Sequence, residues 1–278
     1  MMMRKTALDV SEKFATNTEP ETFVDRQALR DVLLVALTVA SGAVDAISYF
    51  GLGKIFSAFM TGNIVFLGFG IAEIEGPDVV PVIFAISMFA AGSYLGLRIA
   101  TQHSRKSGPW PPAMTVLLVL IATAEGAFLV VWLAAGGHPP TKVCDVLIIL
   151  FSLAMGIQTA AVRSLGVQGV FTTAGTFTLV AFAGTFAGSR SRAEMPRLAG
   201  VLAGLIAGAV GGGLLFLHAR SYAPVLPLAI TVLVIVAGRG LARRTSAEVD
   251  SHRLSTVGNR SWTRRYTQRS GESEGAQP

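Results

Sequence analysis

Apolar residues in this chain come in long unbroken runs, with neither the period of an amphipathic helix nor the alternation of a half-buried strand. Runs of about 18 or more residues with almost no charge read as membrane-spanning helices. They begin near Asp31, Ile55, Val79, Met114, Val143, Val167, Leu198 and Pro224. Between Leu198 and Ala219 the one ionisable residue is His218, close to the end of the run. Strands of an outer-membrane barrel would alternate apolar and polar positions, and these runs do not. The pattern predicts an all-α, polytopic membrane helical bundle.

Two stretches of the chain echo each other. Ser41-Gly42-Ala43-Val44-Asp45-Ala46, followed by Gly51, Phe56 and Thr61-Gly62-Asn63, is answered by Met155-Gly156-Ile157-Gln158-Thr159-Ala160 with Gly166, Phe171 and Thr176-Phe177-Thr178. Further on, Gly92 and Gly96 correspond to Gly208 and Gly212. The common order and spacing point to a duplication.

The duplication bears on the number of crossings. If all eight runs span, the basic connector Thr101–Trp110 falls outside and the acidic connector Glu73–Asp78 inside, against the rule that positive residues stay in the cytoplasm. If each duplicated element (31–72 and 143–187) crosses once, its second part being broken or re-entrant, every basic connector lands in the cytoplasm. About six crossings are therefore expected, with eight as the alternative, and three per half makes the halves inverted. Inverted halves with discontinuous helices recur in secondary transporters. The expected divisions are a disordered polar tail (1–30), a first membrane half (31–135), a second (142–241) and a disordered basic tail (242–278).

Charge adds a direction. The net charge is +6, but the N-terminal tail is neutral and the basic excess follows the last run, as a topological signal would. Nucleic acid is thus not an expected partner; the lipid bilayer is, with a small solute or ion and a second copy of the chain as further candidates. Multi-pass insertion in a bacterial cytoplasmic (inner) membrane is expected, with both termini cytoplasmic.

Polar residues inside the runs are the candidates for chemistry. Asp45 is expensive to hold in hydrocarbon and would face a cavity or a partner, or else cap the segment after Gly51-Leu52-Gly53. Thr61, Gly62 and Asn63 interrupt the second run, where Gly lets the backbone leave the helix and Thr or Asn can satisfy freed groups or coordinate a ligand. Thr173 and Thr176 stand at comparable depth in the second half, and Gln158 is the uncharged counterpart of Asp45 or an interhelical hydrogen-bonding residue. Lys54 and Arg163 lie beside the breaks, where they could pair with Asp45, attract an anion or reach to the interface. Glu125 is a second acid deep in a run. Gly200, Gly204, Gly208 and Gly212 form a stripe for close helix packing, as do Gly92 and Gly96.

Signals of soluble chemistry are missing. The single Cys144 permits no intrachain disulfide and reads as a packing residue, and the four His are not spaced as a metal site. No phosphate-binding loop, nucleophile elbow or zinc-protease helix is present. The chain is expected not to be an enzyme, with no catalytic residues, metal or cofactor.

Gly42-x-x-Asp45-Ala46, Gly51, Phe56 and Met60-Thr61-Gly62-Asn63 resemble the N-terminal signature of the YoaK-like bacterial membrane proteins. Met155-Gly156-x-Gln158-Thr159-Ala160 with Thr172-Thr173 and Thr176 resembles their second block. The likeness covers roughly residues 31–241. It implies a membrane protein of about six spans and supplies no substrate or mechanism. In that family the second block usually reads Thr-Gly-Thr; here Phe177 replaces the Gly, which would alter or close the second break. The function expected is a transporter or channel-like protein for a small solute, with Asp45, Thr61, Asn63, Gln158, Thr173 and Thr176 around one site. The alternatives are a membrane-embedded enzyme on an apolar substrate and a non-transporting assembly or sensory protein.

Overall fold

A computed structural model describes residues 3–102, 110–167, 172–173 and 175–243, with side chains from residue 27 onward. Its helices are α1 (Met3–Gly51), α2 (Met60–Ile71), α3 (Val79–Gln102), α4 (Pro112–Ala134), α5 (Thr141–Ser164), α6 (Gly175–Phe186), α7 (Met195–His218) and α8 (225–243). Among the described residues no strand occurs, as expected where lipid offers the backbone no hydrogen bonds.

Length separates the helices into two kinds. The six segments Gln27–Gly51, Val79–Gln102, Pro112–Ala134, Thr141–Ser164, Arg192–His218 and Arg220–Arg243 have 23 to 27 residues each and are apolar enough to cross a bilayer. At ~1.5 Å per residue they exceed its ~30 Å hydrocarbon core. Helices α2 and α6 have 12 residues each, about 18 Å, and cannot cross. Six crossings follow, and eight are excluded.

Helix α1 already begins at Met3. The stretch composition marks as a disordered tail (1–30) is thus largely helical, since its Leu, Lys, Glu, Gln and Arg favour helix and it prolongs the ladder of the first span. The basic tail beyond residue 243, and Arg105 and Lys106, lie outside the described residues.

Two helices form the centre. The windows of α1 and α5 are 67% and 56% buried, against 28–33% for α3, α4 and the two spans closing the chain. Those outer helices turn Val116, Val130, Ile206, Val210, Leu233 and similar side chains outward, which is the surface a bilayer requires.

The bundle has two ends. At one, Gly51 lies against Trp132 and Phe216, Trp132 Nε1 donates to the Arg220 carbonyl (3.0 Å), and Arg220 Nε donates to the Gly137 carbonyl (2.7 Å). Cys144, half-buried, directs its thiol to the Pro139 carbonyl there. This end carries Glu73, Glu75, Asp78 and Asp145 and is called the acidic end. At the other, Arg197 pairs with Asp31 (3.5 Å) and Glu194 (3.4 Å), tying α7 to α1, and Trp110 packs on Gly238. Arg98, Arg163, Arg190, Arg192, Arg239 and Arg243 also stand at this arginine end.

Glycine decides how the helices cross. A Cβ on Gly208 would strike the Val39 carbonyl, and one on Gly212 the Ala43 backbone at 2.8 Å. One on Gly42 would strike the Leu205 carbonyl in return. Along this crossing helices α1 and α7 therefore touch backbone to backbone, held by close packing where hydrocarbon gives no hydrophobic drive, with the Arg197–Asp31 pair at its arginine end. The crossing of α5 with α3 is built likewise, with Gly92 against the Leu153 carbonyl, Gly96 against Ala160, and Gly156 against the Phe89 carbonyl. Val39 to Leu153 and Gly42 to Gly156 are each 114 positions apart, Gly92 to Gly208 and Phe89 to Leu205 each 116. In the same stripe Gly204 and Gly200 face Val35.

Candidate functional site

After Gly51, at the acidic end, the chain turns back into the bundle. Residues 57–59 reach the depth of Asp45, and α2 then climbs out again, so that Gly70 lies against Val79 at the start of α3. This re-entrant segment presents the unpaired N–H groups of a helix start inside the membrane, where each needs an acceptor. Asp45 supplies one. Its Oδ1 accepts from the N–H groups of Ser57 (2.9 Å), Ala58 (2.7 Å) and Phe59 (3.4 Å). A carboxylate at a helix N-terminus is also favoured by the helix dipole.

Asn63 completes the support. It is fully buried, and its amide donates to the Phe56 carbonyl (2.6 Å) and accepts from the Phe56 N–H (3.1 Å). The Ser48 and Ser57 hydroxyls bond at 2.7 Å. Gly62 leaves room for the Phe59 ring, 2.8 Å from where a Cβ would stand. Thr61 lies on the exposed face of α2 and Lys54 is exposed in the loop; Lys54 makes no ion pair with Asp45. Asp45 is only partly buried, and its Oδ2 accepts no hydrogen bond from the described residues.

The second break enters from the arginine end. Gln158 Nε2 donates to the Leu37 carbonyl (3.1 Å) and to Thr172 Oγ1 (3.3 Å), and the Thr159 and Thr173 hydroxyls bond at 2.6 Å. Helix α6 starts at Gly175 against Leu205, well inside the bundle, and runs outward toward Arg190. Gln158 Oε1 is buried and has no partner among the described residues. Thr176 is exposed. Phe177 is 66% exposed, so its ring points out of the bundle and does not plug the break. Arg163 is exposed at the end of α5.

The predicted residues therefore do not converge on one site. Gln158 touches Leu37 on α1, eight residues before Asp45, which separates the two breaks by about 12 Å in depth. Asp45 and Asn63 form one polar cluster; Gln158 and Thr173 belong to another, nearer the arginine end. Thr61 and Thr176 face away from both. Ser41, between the two depths on α1, is buried with no partner for its hydroxyl among the described residues. Ser48 and Ser57, and Thr159 as the partner of the predicted Thr173, complete these clusters and lie within four residues of Asp45, Thr61 and Gln158. Among the described residues no group of His, Cys, Asp and Glu is placed to hold a metal ion.

Residues 33–237 match the family described as protein of unknown function (DUF1275). The chain belongs to this family. The match takes in both breaks, four of the six crossings whole and most of the first and the last of this DUF1275 protein. It is 38% identical over 154 residues, 55% of the chain, to the UPF0700 transmembrane protein YoaK of Bacillus subtilis (strain 168). That alignment spans 65% of the relative's length. No solved structure matches. Six apolar helices and a transmembrane relative make this DUF1275 chain a multi-pass membrane protein in contact with the lipid bilayer.

Proposed function

We propose that the protein moves a small solute or ion across a bacterial cytoplasmic membrane, and that it does so without enzymatic chemistry. The observation that carries this reading is the pair of re-entrant segments entering from opposite ends, each anchored by polar side chains inside the bundle. Broken elements of this kind line binding sites in secondary transporters because their freed backbone groups can be satisfied by a ligand. The free Oδ2 of Asp45 is the group best placed to meet a cationic or hydrogen-bonding solute from the acidic end. Gln158 Oε1 offers an acceptor nearer the arginine end. The matched glycine contacts of the two crossings support a duplicated, inverted pair of halves.

The arginine end is the cytoplasmic one on this reading, because positive residues are retained there. Single cysteines in a Cys144→Ser background check it. Gly76→Cys and His138→Cys in intact cells are expected to react with an impermeant thiol reagent, and Ala193→Cys only after lysis. The reverse pattern would overturn the orientation, and reaction at all three would overturn the inversion.

Transport itself is tested in proteoliposomes with a panel of small neutral solutes and organic ions, read by vesicle swelling and by membrane current. A flux present in wild type and reduced at least about tenfold in both Asp45→Asn and Asn63→Ala is expected. Flux that survives both substitutions unchanged sinks the assigned site.

A further inference from the structure

We propose that Glu125 is an internal proton site, a carboxyl that holds a proton while sealed against Thr231 and releases it to water only when α4 and α8 part there. Glu125 is 0% exposed, and among the described residues neither carboxyl oxygen has a partner of good hydrogen-bond geometry. It shares its face of α4 with the buried side chains of Ile121, Ala124, Phe128 and Trp132. The buried Thr231 hydroxyl stands against it from α8, its one polar neighbour among the described residues. An ionised carboxylate in hydrocarbon without a cation or donor is among the costliest arrangements a protein can hold, and the neutral acid is the state that avoids it.

Among the described residues no charge compensates from the neighbouring helices. Arg98 is near the end of α3, Lys142, Asp145 and Arg163 stand at the two ends of α5, Arg220 lies at the acidic end before α8, and Arg239 and Arg243 close α8. The ligand is a proton and not a metal cation, since two carboxyl oxygens and one hydroxyl fall short of the roughly six oxygens a hard cation takes. Thr231 suits the role, because a hydroxyl can accept from the acid and donate to the carboxylate.

Depth gives the site a place in the proposed path. The Phe128 and Phe151 rings stack at 3.5 Å. Glu125 is three residues from Phe128 toward the arginine end, and Gln158 is seven from Phe151 in the same direction. Glu125 thus lies about 6 Å short of Gln158 in depth, halfway to Asp45. Its coupling to solute movement rests on the transport reading; its protonation does not.

Infrared difference spectroscopy on the protein in lipid vesicles tests the site. A carboxylic-acid carbonyl band at neutral pH is expected in wild type and in Asp45→Asn, lost in Glu125→Gln, and shifted in frequency in Thr231→Val. Spectra of wild type and Glu125→Gln that coincide would overturn the proposal. Should the Gln variant fail to insert, a hydrophobic carbodiimide on wild type decides the matter. An adduct mapped to Glu125 at neutral pH and absent at high pH supports the site, and an unmodified Glu125 overturns it. A protonated Glu125 together with flux indifferent to Asp45→Asn would leave this site standing and remove the assigned transport site.

Discussion

Gly208→Ala is expected to destabilise the fold by about 3 kcal/mol, at the upper end of what overpacking a core costs. The added Cβ would meet the Val39 carbonyl of α1, which is helix backbone and cannot rotate away as a side chain would. The helices have to separate along the whole crossing, so Gly204 and Gly212 lose their contacts as well. In lipid that loss is not offset by any hydrophobic term, because packing is what holds the pair together. Gly92→Ala should act alike on the crossing of α3 with α5, where the Leu153 carbonyl stands in the way. Gly126→Ala is the control. Nothing lies within 4 Å of its Cβ position, and removing a mid-helix glycine is expected to stabilise by about 0.5–1 kcal/mol. Thermal unfolding midpoints in detergent read all three, and a Gly208→Ala protein that melts with wild type would show that the two backbones do not touch at this crossing.

Asp45→Ala is expected to cost a similar amount, again about 3 kcal/mol, by a different route. Three backbone N–H groups lose the oxygen that accepts them, and a buried donor left unpaired costs about 1–3 kcal/mol. Water admitted where Asp45 is partly exposed recovers some of that. Asp45→Asn keeps an acceptor oxygen in place and should stay within about 1 kcal/mol of wild type, which is why the Asn variant serves the transport test. Hydrogen exchange separates the two variants locally. Amides of residues 57–63 should exchange much faster in the Ala variant and nearly as in wild type in the Asn variant. Equal protection in wild type and Ala would mean that Asp45 does not hold the re-entrant segment.

Much of the architecture was legible along the chain. A run such as Val79–Gln102 needs no partner to be recognised, because partition into lipid depends on its own side chains and its own length. The two interrupted runs were legible for the same reason, since Thr61-Gly62-Asn63 and Thr172–Thr176 place polar groups where a spanning helix would carry none. Asp45 offered two readings, ligand group or cap. The geometry gives Oδ1 to the cap and leaves Oδ2 free, a division no sequence can express because both oxygens belong to one residue.

Glu125 shows the same limit. Its position deep in an apolar run is visible in the sequence, but its isolation is not. That depends on Thr231, more than a hundred residues away, and on every neighbouring charge lying at a helix end. Phe177 shows it from the opposite side. As a bulky replacement for a glycine it reads as a plug, and only the rotation of α6 decides that the ring faces outward.

By itself, then, the sequence determined the long apolar helices, their membrane location and the two breaks, because each follows from local hydropathy, length and the cost of unpaired backbone. It favoured six crossings and left eight open, and the 12-residue lengths of α2 and α6 decided the count. The tertiary structure decided which glycine meets which carbonyl, that the breaks lie about 12 Å apart in depth instead of sharing one site, and that Glu125 stands unpaired between them. Those are relations between segments far apart in the chain, set by how the helices rotate and cross, and in a bilayer that choice rests on close packing and hydrogen bonds between surfaces that hydropathy does not distinguish.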